Sequence, residues 1–130
     1  NIKEINLSSL AKLECLNLRY NFITFFSQNL SSLIELRLTS NPLGNLTYPL
    51  ITSPNSALKT LGISYCQLKY IDFNVLRNLT NLNILNMANN HLVLSNNTFD
   101  GFISLRRVIA NKSDVDRFRI LYPNIDFSIS

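Results

Sequence analysis

The chain has 130 residues, 46% of them hydrophobic and 15% charged, with a net charge of +4; that length suits one domain with a continuous core, and three Gly and four Pro argue against a disordered chain. With 19 Asn and 21 Ser plus Thr, the surface is polar but mostly uncharged. Its Lys and Arg are scattered rather than striped among aromatics, which argues against nucleic-acid binding, and no apolar run of about 18 residues exists to form a transmembrane helix.

Residues 1–12 carry Ile2, Ile5 and Leu10, which match Leu68, Ile71 and Leu79 further on. They read as the tail of a motif whose strand is missing. The chain, a single domain over 1–130, is therefore expected to be a fragment of a longer array. The first complete motif is Leu13-x-x-Leu16-x-Leu18-x-x-Asn21-x-Ile23. The second runs Leu33, Leu36, Leu38, Asn41, Leu43, and the third Leu58, Leu61, Ile63, Cys66, Leu68 at the same offsets. The fourth runs Leu82, Leu85, Met87, Asn90, Leu92, and a degenerate fifth Leu105, Val108, Ala110, Ser113, Val115. A truncated sixth is expected at Tyr122-x-x-Ile125-x-Phe127, which makes the start-to-start spacings 20, 25, 24, 23 and 17 residues.

Apolar residues at the fourth and sixth motif positions alternate with polar ones, so each motif predicts a short strand with one face inward. One such turn cannot bury that face alone; stacked turns give a parallel sheet over a column of Leu and Ile. The ninth residue turns inward where the chain leaves the strand, and its side chain can satisfy buried backbone groups. Asn21, Asn41, Cys66, Asn90 and Ser113 are the expected rungs of this ladder. Between strands the chain returns on a convex side. Ile23, Phe26 and Leu30 plug the first return. Leu68, Ile71, Leu76 and Leu79 plug the third, a short helical turn, and Phe99 and Phe102 the fourth. The second return, 44–57, contains Pro49 and Pro54 and is expected to be irregular and to protrude.

Nothing in the motifs predicts catalysis, a cofactor or a metal. Cys15 and Cys66 fall two strands apart, roughly 10 Å, beyond the reach of a disulfide. His91 sits just outside the ladder, towards solvent, diverging from Cys66 rather than forming a dyad with it. The strand residues between the apolar positions face a concave surface. Arg19, Tyr20, Arg37, Thr39, Tyr65, Asn86 and Arg107 are the candidate ligand-binding residues, and Tyr, Arg and Asn suit an adaptable recognition surface. Arg19, Tyr20, Arg37 and Tyr65 are expected to cluster. A second basic patch comprises Arg106, Arg107, Lys112, Arg117 and Arg119 against Asp114 and Asp116. Six Asn-x-Ser/Thr sequons occur, at Asn6, Asn29, Asn45, Asn78, Asn96 and Asn111. The first five are glycosylation candidates, whereas Asn111 is placed on a strand, where a glycan would obstruct binding.

The spacing L-x-x-L-x-L-x-x-N/C-x-L, carried by Leu13–Ile23, Leu33–Leu43, Leu58–Leu68 and Leu82–Leu92, resembles the leucine-rich repeat superfamily over nearly the whole chain. Spacings near 24, Phe plugs and sequons make it most similar to extracellular members, Toll-like receptor ectodomains and secreted leucine-rich immune proteins. The resemblance implies an α/β solenoid: a right-handed superhelix of about five to six repeats, with a parallel concave sheet and an irregular or short-helical convex side. It also implies a non-enzymatic, protein-binding recognition module, extracellular or at the cell surface, in innate immunity or adhesion. The alternative is an intracellular leucine-rich repeat scaffold or regulatory domain; a third is an appended repeat region of an enzyme. The chain departs from extracellular relatives in lacking cysteine-rich caps and any transmembrane or signalling segment.

Overall fold

A computed structural model describes residues 2–7 and 9–130. In chain order the elements are β1 (Cys15–Asn17), β2 (Glu35–Arg37), β3 (Asn45–Leu46), β4 (Thr60–Gly62), β5 (Tyr70–Ile71), α1 (Phe73–Arg77), β6 (Ile84–Asn86), β7 (Arg107–Ala110), α2 (Lys112–Leu121) and β8 (Asp126–Ile129). Six strands form one parallel sheet, β1-β2-β4-β6-β7-β8, whose spatial order follows chain order; β3 and β5 pair separately, also in parallel. The molecule is thus an α/β domain. Parallel neighbours demand a crossover between each pair, and these crossovers carry the second pair of strands and both helices.

The first five main-sheet strands begin at the third position of each motif. Register aligns the fourth-position residues in one column: Leu16, Leu36, Leu61, Leu85 and Val108, and then Phe127. From Leu36 onward every member of the column is buried. The sixth motif departs from the expected alignment. A start at Tyr122 makes Phe127 a sixth-position residue, yet Phe127 pairs with Val108 and Ile129 with Ala110. The motif therefore starts at Asn124, and the last spacing is 19 residues, 105 to 124, instead of 17. A two-residue slip keeps the same side chains inward, whereas a one-residue slip would turn them out. The apolar pattern alone is blind to this shift.

α2 occupies the return between β7 and β8. Val115 and Phe118, three residues apart, bury its inner face, while Asp114–Arg117 and Asp116–Arg119 pair at the same spacing outside. Ser113 lies exposed in its first turn. The ladder role expected of it is therefore corrected: β7 runs to Ala110 and the helix starts at Lys112, so the chain has left the sheet before Ser113. The second return is irregular but does not protrude as expected. Leu46, Leu50 and Ile51 are buried, β3 pairs with β5, and Gln28 bridges Ile51. Phe99 anchors the fourth return. Its ring lies 5.0–6.1 Å from those of Phe73, Phe102, Phe118, Tyr122 and Phe127, within the favourable range for aromatic pairs. Arg77 staples α1 to this return by donating to the carbonyls of Thr98 and Asp100.

Where the strands end, side chains take up the backbone. Asn41 Nδ2 donates to the carbonyls of Leu18 (2.9 Å) and Leu38 (2.8 Å), and its Oδ1 accepts from Ile23 N–H (3.0 Å). Asn90 Nδ2 donates to Ile63 and Met87 carbonyls, and its Oδ1 accepts from Cys66 and Leu68 N–H. Asn21 binds the Leu18 carbonyl and Ile2 N–H. At Cys66 the thiol donates to the carbonyls of Leu38 (3.2 Å) and Ser64 (3.4 Å), but it offers no equivalent of the amide oxygen. The chain adjusts locally: Leu43 N–H turns to the Asn41 carbonyl and Gly44 N–H to the Cys66 carbonyl, with Gly44 at φ +72, a conformation glycine adopts without penalty. Asn90→Ala should cost about 1–3 kcal/mol through unpaired buried groups, read as a lower urea midpoint. Ser113→Ala should stay within about 0.5 kcal/mol; equal losses would mean that the helix start is misplaced.

Candidate functional site

The outer face of the main sheet carries two rows set by register. One is Cys15, Glu35, Thr60, Ile84, Arg107 and Asp126; the other is Asn17, Arg37, Gly62, Asn86, Ile109 and Ser128. Ile84 and Ile109 make a half-buried apolar centre. Its charges are paired locally: Arg37 with Glu35 at 2.9 Å and Arg107 with Asp126 at 3.3 Å. The hydrogen bond that Arg37 donates to the Glu35 carboxylate, then that carboxylate's charge, raises the Arg37 pKa above the ordinary arginine value. Thr39 and Ser64 hydroxyls meet at 3.0 Å, and Arg19 Nε donates to Asn17 Oδ1 at 3.1 Å. Asn86 Oδ1 accepts from Ala88 N–H. Exposed ion pairs of this kind add little stability, so both arginines can exchange partners at low cost.

The expected cluster of Arg19, Tyr20, Arg37 and Tyr65 is divided. Arg37 belongs to the sheet face. Tyr20 and Tyr65 stand at the strand ends with φ +61 and +51, as do Ser40 at +62 and Asn89 at +59. These are the eighth positions of four successive motifs, where a left-handed residue swings the chain out of the strand. A groove of about 1140 Å³ runs along these ends, from Phe22 to Ser130. Ser40, Tyr65 and Asn89 line it from the eighth position, and Phe22, Pro42, Gln67 and His91 from the tenth. Asn21, Asn41 and Asn90 also line it, and Ile129 and Lys112 stand at its far end. Phe22, Pro42, Gln67, His91 and Ile129 were not among the candidate residues. Tabulating the tenth position of the first four motifs would have found four of them.

The second basic patch is largely spent on internal contacts. Arg117 donates to the Leu94 carbonyl and to Asp114, and its guanidinium lies 4.5 Å over the Phe118 ring. Arg119 Nε donates to the Phe127 carbonyl. Among the described residues no group of three or more His, Cys, Asp and Glu converges as a metal site, and no helix is long and apolar enough to cross a membrane. Both cysteines are free, Cys15 exposed and Cys66 buried. Burial pushes the Cys66 thiol up to about 11, partly opposed by the N–H groups of Asn41 and Ser40.

The sequon asparagines Asn6, Asn29, Asn45, Asn78 and Asn96 are all exposed. At Asn29, Asn45 and Asn78 the following Leu is buried and the Ser or Thr exposed, so the sequon stands proud of the core. At Asn96 the Thr98 hydroxyl is committed to the Ser95 carbonyl at 2.7 Å and Asn96 Oδ1 accepts from Arg117. Ser8, the hydroxyl residue of the first sequon, lies outside the described residues. Asn111, expected on a strand, is the residue before α2; its amide binds Asn89 N–H and the Asn90 carbonyl instead of capping the helix.

At mildly alkaline pH an alkylating reagent should modify Cys15 in the folded protein and reach Cys66 only after denaturation, read by peptide mass. The folded state holds the Cys66 proton more tightly than the unfolded chain, so the stability it contributes is full below pH 9.0 and is lost towards pH 11. That loss should be at most about 3 kcal/mol, and Cys66→Ala should remove this part of the slope. The chain matches no protein-family model and no curated protein.

Proposed function

We propose that this chain is a leucine-rich repeat recognition module, a solenoid without enzymatic activity, which binds a protein partner through the outer face of its parallel sheet. The observation that carries the reading is the register of the six strands. It sets equivalent side chains of successive motifs side by side, so one rigid face presents Ile84 and Ile109 between the Arg37–Glu35 and Arg107–Asp126 pairs. An apolar centre with a polar, re-pairable rim suits a protein interface. Thr39, Asn86 and Arg19 extend that rim. The module acts extracellularly, in immune recognition or adhesion; the exposed sequons at Asn29, Asn45 and Asn78 support that location.

An intracellular scaffold is the second reading, favoured by the free thiol of exposed Cys15, since reducing compartments are where lone thiols persist. Expression through a secretory pathway, followed by enzymatic glycan removal and intact mass, separates the two. Glycan at Asn29, Asn45 or Asn78 supports the extracellular reading; an unmodified chain rejects it and leaves the scaffold.

Partner binding is tested by screening secreted and membrane ectodomains for direct binding to the purified chain, then repeating the screen with Arg37→Glu/Arg107→Glu. The double variant should fold with a melting point within a few degrees of the parent, because each exposed pair is worth about 0–1 kcal/mol. It should weaken any true partner at least tenfold, roughly 1.4 kcal/mol or more. Undiminished binding by the folded variant would reject the sheet face as the interface.

A further inference from the structure

We infer that the groove across the carboxyl ends of the strands is a separate binding site for an uncharged, linear polyhydroxylated ligand, an oligosaccharide. The inference requires neither the repeat family nor the protein partner proposed above.

The first argument is shape. The groove crosses the ends of successive strands, which lie about 4.8 Å apart, so it extends on the order of 20 Å. Its volume of about 1140 Å³ exceeds the ~300–1,000 Å³ of an ordinary small-molecule pocket. An extended chain fits it; a compact cofactor does not fill it.

The second argument is the chemistry of the walls. Lys112 is the one charged side chain among the described lining residues, and no Asp or Glu is among them. A cationic ligand gains no ion pair there, and a polyanion gains one. Among the described lining residues, the side chains without a hydrogen-bond or ion-pair partner are the Ser40 and Ser113 hydroxyls, the Gln67 amide, the His91 imidazole, the Tyr65 phenol and the Lys112 ammonium, so five of the six are uncharged hydroxyl, amide or ring groups. Hydroxyls and amides both donate and accept, which matches sugar hydroxyls that do the same. The exposed rings of Tyr65 and Phe22 offer negative faces to the C–H-bearing faces of pyranose rings.

The third argument separates a sugar from an extended peptide. A peptide adds to a protein through main-chain pairing along an open sheet edge, whereas this groove crosses the strand ends, between the eighth and tenth motif positions.

The test is calorimetric titration and NMR of the folded chain with cellohexaose, maltohexaose and chitohexaose as neutral probes. A galacturonic acid hexamer and a Gly-Ser-Ala decapeptide serve as acidic and peptide probes. At least one neutral hexasaccharide should bind at millimolar or lower concentration and shift the Gln67 amide and His91 imidazole signals. Tyr65→Asn should lower that affinity roughly tenfold without lowering the melting temperature. Gln67→Gly, which suits φ +54, should weaken binding while the spectrum stays that of the folded chain. The inference is overturned if no neutral probe binds, if the acidic or peptide probe is preferred, if shifts fall on Ile84 and Ile109, or if both folded variants bind as the parent does.

Discussion

The structure depends on one constraint: each time the chain leaves the sheet, its backbone bends while still buried, and the polar groups at the bend need partners. A side-chain amide at the ninth motif position answers this by donating to carbonyls of its own strand and of the one before. Asn41 and Asn90 show the full arrangement, with the amide oxygen collecting N–H groups of the preceding turn. Because each rung touches two neighbouring turns, it fixes their spacing as well as satisfying them. Cys66 performs the donor half alone, and Gly44 takes up the difference.

Both candidate surfaces follow from that bend. Upstream of it the strands run in register and display the Ile84–Ile109 face with its paired arginines. At the bend the eighth residue enters the left-handed region and the tenth flares outward, leaving a groove floored by the rungs. The two surfaces share a scaffold yet differ in chemistry: charges in mutual pairs on the face, and mostly neutral hydroxyls and amides in the groove.

The return paths are held by different means along the chain. Ile23, Phe26 and Leu30 fill the first with aliphatic and aromatic bulk, and Gln28 links it to the second. The fourth and fifth gather around Phe99, whose contacts with Phe118, Tyr122 and Phe127 knit α2 and β8 to the preceding turn. Arg77 and Arg117 add stapling bonds to carbonyls there. Part of the positive charge that looked available for a partner is therefore structural.

Period and burial were legible in the sequence because an inward side chain must be apolar whatever surrounds it. Leu36, Leu61 and Leu85 follow from spacing alone, and so do Asn41 and Asn90, since an amide recurring beside a buried bend has few other uses. The offset of the last strand was not legible, because a two-residue shift leaves the pattern intact. Nor was the failure of Ser113 as a rung, because only the packing of Val115 and Phe118 against the sheet decides that a helix begins there. The partners of Arg19 and Arg37 lay equally out of reach: each sits at a position open to solvent, where sequence constrains polarity but not direction. The sequence by itself determined the column from Leu16 to Val108 and the Asn rungs that bend the chain; the tertiary structure alone decided the place of Phe127, the helix at Ser113 and which exposed side chains share a surface, since these depend on strand register, packing and the left-handed turn at each strand end.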